Sequence, residues 1–345
     1  MKQFTVGISG INAVDNPGPG VGVARSLKDD KELNVNVVGF AYDAMEPGIY
    51  MDWLIDKVFV MPYPSGGRNA FIDRLRHVRN SYGLDFIIPN LDAELPLYTK
   101  YRTEIEDLGI RVFLPDHEQY RLRGKDRLPE VAEKINVAIP QTRVVSSAEE
   151  FGKALEQIGL PVMVKGAFYN AHQADTAQEA FRYFNKIVSE WGYPVILQKV
   201  VSGEEMNVVA VGDGDGELIG QVGIKKMWIT SLGKIWTGVT VKNERMQAAT
   251  ENFVREYRWK GPLEMECIVD GDTVYLIEIN PRFPAWSYFA TAAGMNLPAQ
   301  MLRRAFDLPM NRTRDYEAGK LYIRYTYEII TNMDIFQNLL TKGES

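Results

Sequence analysis

The residues best suited to chemistry lie between Leu263 and Trp286, in the stretch LEMECIVDGDTVYLIEINPRFPAW. Two apolar-rich runs, Leu263 to Val269 and Thr273 to Ile279, flank Asp270-Gly271-Asp272, so the stretch reads as a β-hairpin whose glycine is free to take positive φ. Side chains alternate between the faces of a strand, so register decides which groups meet. With all three turn residues in the loop, Glu264 falls opposite Glu278 and Glu266 opposite Leu276, and Glu264, Glu266, Glu278 and Asn280 share one face. A two-residue Asp-Gly turn separates Glu266 from Glu278. The longer loop gathers hard oxygen ligands for one or two Mg²⁺ ions, which keep part of their water and bridge substrate phosphates. Arg282 then faces the same phosphates, and its planar fork suits charge that develops on a transferring phosphoryl group. The plainer reading makes Glu278 and Asn280 polar teeth on the solvated face of an antiparallel sheet.

Glu278-Ile279-Asn280-Pro281-Arg282 resembles the Glu-x-Asn-Pro-Arg pattern that ends the metal-binding strand of the ATP-grasp superfamily. The resemblance implies Glu266, Glu278 and Asn280 as ligands for Mg²⁺ or Mn²⁺, and Arg282 as the catalytic cation. Two lysines carry it further. Lys125, in LRGKDRL ahead of an amphipathic helical stretch from about Arg127 to Asn136, looks like the first nucleotide-binding lysine. Lys165, at the end of the apolar strand GLPVMVKG, looks like the second and reaches the α- or β-phosphate as a point charge. Either lysine alone reads as a solvated surface charge. VILQKVVSGEEMNVVAV, residues 195–211, resembles the hinge strand, turn and returning strand around the adenine and ribose. Its implied adenine hinge runs from Gln198 through Lys199 to Val201, and Glu205 stands at the ribose position. Gln198 departs from the acidic residue often found at the hinge start. Taken alone, Gly203-Glu204-Glu205 is an ordinary solvated turn.

One landmark is absent. Members of this superfamily usually follow the second lysine with a glycine- and serine-rich flap whose backbone N–H groups cover the β- and γ-phosphates. Here the chain reads KGAFYNAHQADTAQEA, with no glycine between Gly166 and Gly192 and a short span before the helix start at Thr176. Side-chain donors from Tyr169, Asn170 and His172 are one replacement; a weak lid with slow, redirected or lost catalysis is the other. His172 reads as a solvated loop histidine and not as a base.

These groups need a scaffold, and the chain is long enough for two or three domains: 345 residues, 46% hydrophobic, net charge −6. The N-terminal part alternates strands QFTVGIS, NVNVVGF, DFIIPN and RVFLP with helices near Gly20 to Lys28, Asn69 to Tyr82 and Leu95 to Leu108, the rhythm of a doubly wound parallel sheet. Asn16-Pro17-Gly18-Pro19-Gly20-Val21-Gly22 fails the GxGxxG spacing, which argues against a separate NAD site. Asp92 and Glu94 follow DFIIPN at a strand's carboxyl end, where open sheets place ligands, so they are candidates to meet the substrate, with surface carboxylates as the default reading. The expected fold is thus α/β and α+β: an ATP-grasp fold preceded by a Rossmann-like domain. The expected divisions are residues 1–115, a smaller lobe over 116–195 and a larger antiparallel lobe over 196–345. Met295 to Phe306 reads as an apolar helix and Leu321 to Ile330 as an alternating strand closing the larger sheet.

Bulk properties fit a cytoplasmic enzyme. Cys267 is the single cysteine, placed as a buried thiol, so no internal disulfide framework exists. MKQFTVGISGI lacks a signal-peptide layout, and no window offers the roughly 18 uncharged apolar residues of a spanning helix. Mild acidity argues against nucleic acid, and Lys225-Lys226 reads as phosphate-facing or solvent-facing. The resemblance is closest to the carbamoyl phosphate synthase-like and biotin carboxylase-like branch, at the size of a single ligase module. It implies that a carboxylate attacks Mg-ATP to give an acylphosphate, which an amine then displaces. The implied substrates are a small-molecule carboxylate and amine, or a peptide or protein, and related enzymes are often homodimers. A kinase-like variant, a binder without turnover and an NAD oxidoreductase are the competing readings.

Overall fold

The structure, a computed structural model, describes residues 2–167, 170–310 and 315–345. Near-continuous Val, Ile and Phe runs in the N-terminal part form five strands: β1 (Gln3–Ile8), β2 (Asn34–Ala41), β3 (Lys57–Val60), β4 (Phe86–Ile88) and β5 (Arg111–Val112). They lie in the order β3-β2-β1-β4-β5, all neighbours parallel. Both faces are covered, as a parallel sheet requires. One core contains Val6 and Ile8, with Leu27 of helix Pro19–Asp29; the other contains Val38 and Phe40, with Leu75 of helix Gly67–Tyr82. Sequence reasoning missed β3, because KVFV is too short to display a period of two. The single helix expected over Leu95 to Leu108 is two, Leu95–Lys100 and Arg102–Asp107. Tyr101 leaves the helical region (φ −105, ψ 23), and both its ring and Ile105 turn into the second core.

A four-stranded antiparallel sheet follows, built from β6 (Thr142–Val145), β7 (Val162–Gly166), β8 (Ala171–Ala174) and β9 (Val195–Lys199) in the order β6-β9-β7-β8. Helices Ala148–Ile158 and Ala177–Trp191 cover one face through Phe151, Ala154, Phe184 and Ile187. Thr176 caps the second helix by accepting from the Glu179 N–H.

The third sheet has six strands: β10 (Glu204–Asp213), β11 (Leu218–Ile229), β12 (Ile235–Val241), β13 (Lys260–Asp270), β14 (Thr273–Asn280) and β15 (Leu321–Ile323). Their order is β14-β13-β10-β11-β12-β15. Helix Glu244–Tyr257 packs on one face through Phe253 and Val254. From the opposite face, Val209, Val211, Val222 and Ile224 share a core with β1, β2 and helix Leu297–Ala305, so this sheet is joined to the parallel one. The expected strand Leu321 to Ile330 ends at Ile323. β12 begins only at Ile235, and once Arg324 N–H has bonded the Trp236 carbonyl no partner strand remains among the described residues. Among the described residues no helix is long and apolar enough to cross a membrane.

Candidate active site

The β13–β14 hairpin differs in register from the sequence expectation. Asp270 pairs with Thr273, so the turn is two residues, Gly271 and Asp272, and Gly271 takes the positive φ of 54°. A bulge at Ile277 then shifts the pairing by one residue, placing Glu266 opposite Glu278 and Glu264 opposite Asn280. The four groups still share a face, because directly opposed residues always do. Asn207 of β10, opposite Glu266, joins them.

Glu264 lies at the floor, 4% exposed. It accepts from Asn207 Nδ2 at 2.7 Å and Trp286 Nε1 at 2.8 Å, and from Asn280 Nδ2 and Arg282 Nη1 at 3.3 Å each. Burial, and then the charge of Glu266, raise its pKa above the usual carboxylate range. Burial pushes Glu266 the same way, but Lys226, Arg282 and Lys125 outweigh it and hold that carboxyl below the ordinary range. Lys226 Nζ sits 3.0 Å from Glu266 and 3.3 Å from Glu205, with a side chain only 8% exposed. Sequence reasoning set this lysine among phosphate-facing or solvent-facing charges; the structure buries it between two carboxylates. The period of two along β11 could have found it, since Lys226 falls on the face of Ile224, which opposes Asn207. Lys225 alternates outward and pairs with Glu204.

Lys125 Nζ reaches Glu278 Oε1 at 2.9 Å across 153 residues of chain. The helix behind it is Leu128–Lys134, shorter than expected. Arg282 stretches between Asp92 Oδ2 and Glu264 Oε2, 3.3 Å from each. Burial lowers its pKa, yet Asp92, Glu264 and Glu266 together raise it above its ordinary value. Arg123, also buried, meets Asp92 from the other side at 3.3 Å. Asp92 therefore brings the parallel sheet into the cluster. Glu94 does not: fully buried, it accepts from the N–H groups of Asn90 and Leu91 and from the hydroxyls of Ser9 and Tyr42, and so holds the β4 loop in place. Glu94 is therefore not the surface carboxylate of the default reading, and its oxygens are engaged within its own loop and not toward a substrate.

Lys165 comes from the four-stranded sheet. Its ammonium donates to Gln198 Oε1 at 2.6 Å, and burial, followed by Lys125, depresses its pKa from 10.5 to about 8. Gln198 Nε2 donates to Thr142 Oγ1 at 3.1 Å, so both ends of that amide are engaged. Lys199 closes β9, its N–H bonded to the Gln141 carbonyl, and Val201 follows in the short link to β10. Glu205 stands half-exposed near the start of β10.

On either side of the flap after Lys165, strands β7 and β8 pair directly. Lys165 pairs with Ala171 and the Gly166 N–H bonds the Asn170 carbonyl. Asn170 Nδ2 turns to Glu190 at 3.0 Å, and His172 stacks on Tyr183 of the covering helix at 4.5 Å. Both side chains are drawn onto helix Ala177–Trp191, which goes against their use as replacement flap donors. Tyr169 lies outside the described residues. At the N-terminal glycine loop, Pro19 has no N–H, Gly18 N–H bonds the Asn12 carbonyl and Gly20 N–H bonds the Gly10 carbonyl. Those donors are committed within the loop. Cys267 is buried, with a thiol pKa pushed up to about 12 by burial and then Glu266.

Glu266, Glu278 and Asn280 suit a hard dication: two carboxylates directly across a strand pair, with an amide one pair further along. Each carboxylate already faces an ammonium. Among the described residues no group of three or more His, Cys, Asp or Glu forms a ready cage. Mg²⁺ needs only one or two carboxylates, since water and phosphate oxygens complete its shell. A cavity of about 550 Å³ lined by Arg111, Asp213, Lys260 and Arg304 shares none of these residues.

Residues 193–328 match the family described as ATP-grasp in the biosynthetic pathway with Ter operon. The carbamoyl phosphate synthase large chain of Clostridium acetobutylicum is 24% identical over 187 residues, half of this chain but 18% of that protein. The chain thus spans about a fifth of the length of the curated relatives it matches. Among solved structures, the biotin carboxylase domain dimer of Hydrogenobacter thermophilus 2-oxoglutarate carboxylase, in complex with MgADP, ADP and bicarbonate, has a TM-score of 0.69. It is 17% identical, and the match covers 93% of this chain and 73% of that one. N5-carboxyaminoimidazole ribonucleotide synthetase from Thermus thermophilus has a TM-score of 0.67 at 16% identity, covering 89% and 79%. Residues 193–328 thus resemble an ATP-grasp family, and over most of its length the chain shares the fold of these synthetase and carboxylase structures.

Proposed function

We propose that this protein is an ATP-dependent, ADP-forming carboxylate-amine ligase. The observation that carries the reading is the meeting of Glu264, Glu266, Glu278, Asn280 and Arg282 with Lys125 and Lys226 on one sheet face. Its supports are the ATP-grasp fold and the similarity to carbamoyl phosphate synthase. The same proposal divides the chain into an N-terminal domain over residues 1–115, a smaller lobe and a larger lobe. Because β9 pairs with β6 and β7, we set the second boundary after Lys199.

In this reading Gln198 to Val201 frame the adenine, Glu205 accepts from the ribose, and Lys125 and Lys165 meet the phosphates from two sides. Glu266, Glu278 and Asn280 would hold Mg²⁺, which would supply positive charge to offset that of the phosphates. Lys125 and Lys226 keep the two carboxylates extended, and Asp92 with Glu264 fixes the Arg282 fork. A substrate carboxylate oxygen then bonds the γ-phosphorus as the bond to the ADP oxygen breaks. The amine nitrogen next attacks the acyl carbon, phosphate leaves with its oxygen, and the nitrogen loses a proton to water. Such chemistry depends on positioning and charge neutralisation, and this inventory of charged groups suits it without a Ser/His pair. The acid and amine are small molecules or parts of a peptide, in a cytoplasmic setting that a single buried thiol suits.

The glycine-poor flap after Lys165, with β7 and β8 paired directly on either side of it, favours a second reading: nucleotide binding with kinase-like or no turnover. The test is ADP and phosphate release from Mg-ATP with pooled amino acids and small carboxylates, with mass analysis of products. We expect stimulated turnover and an amide, reduced at least about 100-fold in Glu278→Gln, which loses a charge of the cluster. ADP with a phosphorylated product and no amide would point to the kinase-like variant. Binding without turnover in every pool, peptides included, would sink the ligase reading.

A further inference from the structure

We propose that the β15 edge is the docking surface for a second copy of this chain, pairing antiparallel about a two-fold axis at Arg324. Among the described residues β15 closes one side of the six-stranded sheet and bonds β12 on its inner side only. The Arg324 N–H points inward to the Trp236 carbonyl, so by alternation Leu321, Ile323 and Tyr325 turn their N–H and C=O groups outward. The segment LYIRYTYEII, rich in β-formers and free of proline, outruns its partner: three residues are paired, and Tyr325 to Ile330 have no partner strand among the described residues. Unprotected edges of this composition recruit another strand.

The side chains point the same way. Leu321, Ile323, Tyr325 and Tyr327 are 56, 65, 74 and 55% exposed, while Tyr322 packs on Phe289 and Arg324 turns inward to the carbonyls of Pro17 and Ala285. Trp228, 70% exposed, lies across Thr237 from Ile323 and widens the same apolar face. At about 150–250 Å² per aromatic side chain, Tyr325, Tyr327 and Trp228 alone present roughly 400 Å². That lies within the range of the largest patch on a monomer, and Leu321, Ile323 and the strand backbone extend it toward the roughly 800 Å² per partner of a stable interface.

What commits the occupant to a second copy is the self-complementarity of the segment. Centred on Arg324, antiparallel pairing sets Ile323 opposite Tyr325, Leu321 opposite Tyr327 and Lys320 opposite Glu328, each twice. Apolar groups meet on one face and opposite charges at both ends. The two Arg324 side chains, adjacent at the axis, are each directed into their own subunit. Lys320 now pairs with Glu317, a surface contact that it can exchange for Glu328.

Sedimentation velocity on the full chain from 1 to 100 µM tests this, with thermal melting to check the fold. The expected result is a dimer that Ile323→Lys dissociates. Lys320→Glu should raise the dissociation constant severalfold, and Lys320→Glu combined with Glu328→Lys should restore it. The charge variants sit on exposed side chains, so they keep the test decisive if Ile323→Lys fails to fold. A chain that stays monomeric at 100 µM overturns the proposal, as does a dimer indifferent to these substitutions. A double variant no better than Lys320→Glu overturns the Arg324-centred pairing.

Discussion

Replacing Lys165 by methionine should stabilise the protein while removing its affinity for nucleotide, and the gain should vanish as the pH rises. Lys165 is 5% exposed, its one side-chain hydrogen bond among the described residues goes to the neutral Gln198 amide, and its pKa falls from 10.5 to about 8. A shift of that size corresponds to about 3 kcal/mol of destabilisation from the buried charge at pH 7, where the lysine is protonated in both folded and unfolded chains. Methionine relieves it but strands Gln198 Oε1, at a cost of about 1–3 kcal/mol, leaving a net gain of about 1 kcal/mol. The sign of the pH dependence follows from proton counts. Between pH 8 and 10.5 the unfolded wild type binds more protons than the folded form, so wild-type stability rises with pH. Methionine does not titrate, so its advantage should shrink by about 2 kcal/mol between pH 7 and 9.5 and reverse sign. Urea unfolding of the two proteins at both pH values measures this, with other alkaline titrations cancelling in the difference. A difference that stays constant from pH 7 to 9.5 would refute the displaced pKa, and unchanged ADP binding would refute Lys165 as a phosphate contact.

Glu46 offers the opposite sign. It is 7% exposed, one oxygen accepts from the Tyr42 N–H while the other has no partner, and burial raises its pKa from 4.5 to about 7. Folded Glu46 holds its proton where the unfolded chain has lost it, so stability falls as pH rises from 4.5 through 7. Glu46→Gln should match wild type near pH 4.5 and exceed it by about 2–3 kcal/mol at pH 8 in urea unfolding; a constant offset would contradict this. Trp286→Phe removes a buried donor 2.8 Å from Glu264 Oε1. It should lower the unfolding free energy by about 1–3 kcal/mol in the same assay, and no loss would mean that the other donors to Glu264 suffice.

Much of this site was legible because its groups lie close together in sequence. Glu264 to Arg282 span one hairpin, and alternation placed the carboxylates and amide on a common face even though the turn was misassigned. A two-residue turn and a bulge at Ile277 shifted the register without moving any of them to the other face. The parallel sheet was legible for a similar reason, since its apolar runs state that both faces are buried. β3 and the break at Tyr101 were not, because four residues carry no period and a kink set by packing leaves no local signal.

The sequence by itself determined which residues could do chemistry: two lysines, a carboxylate strand, an amide and an arginine, in an order that resembles the ATP-grasp superfamily. Only the tertiary structure decided their partners. Lys125 finds Glu278 across 153 residues and Asp92 meets Arg282 across 190, separations that no local pattern encodes. Side-chain direction decided the rest. It buries Lys226 while exposing Lys225, gives Glu94 to the backbone of its own loop, and turns Asn170 and His172 onto a helix. Composition sets what a residue can do; the low-dielectric neighbourhood that folding builds around it sets which of those things it does.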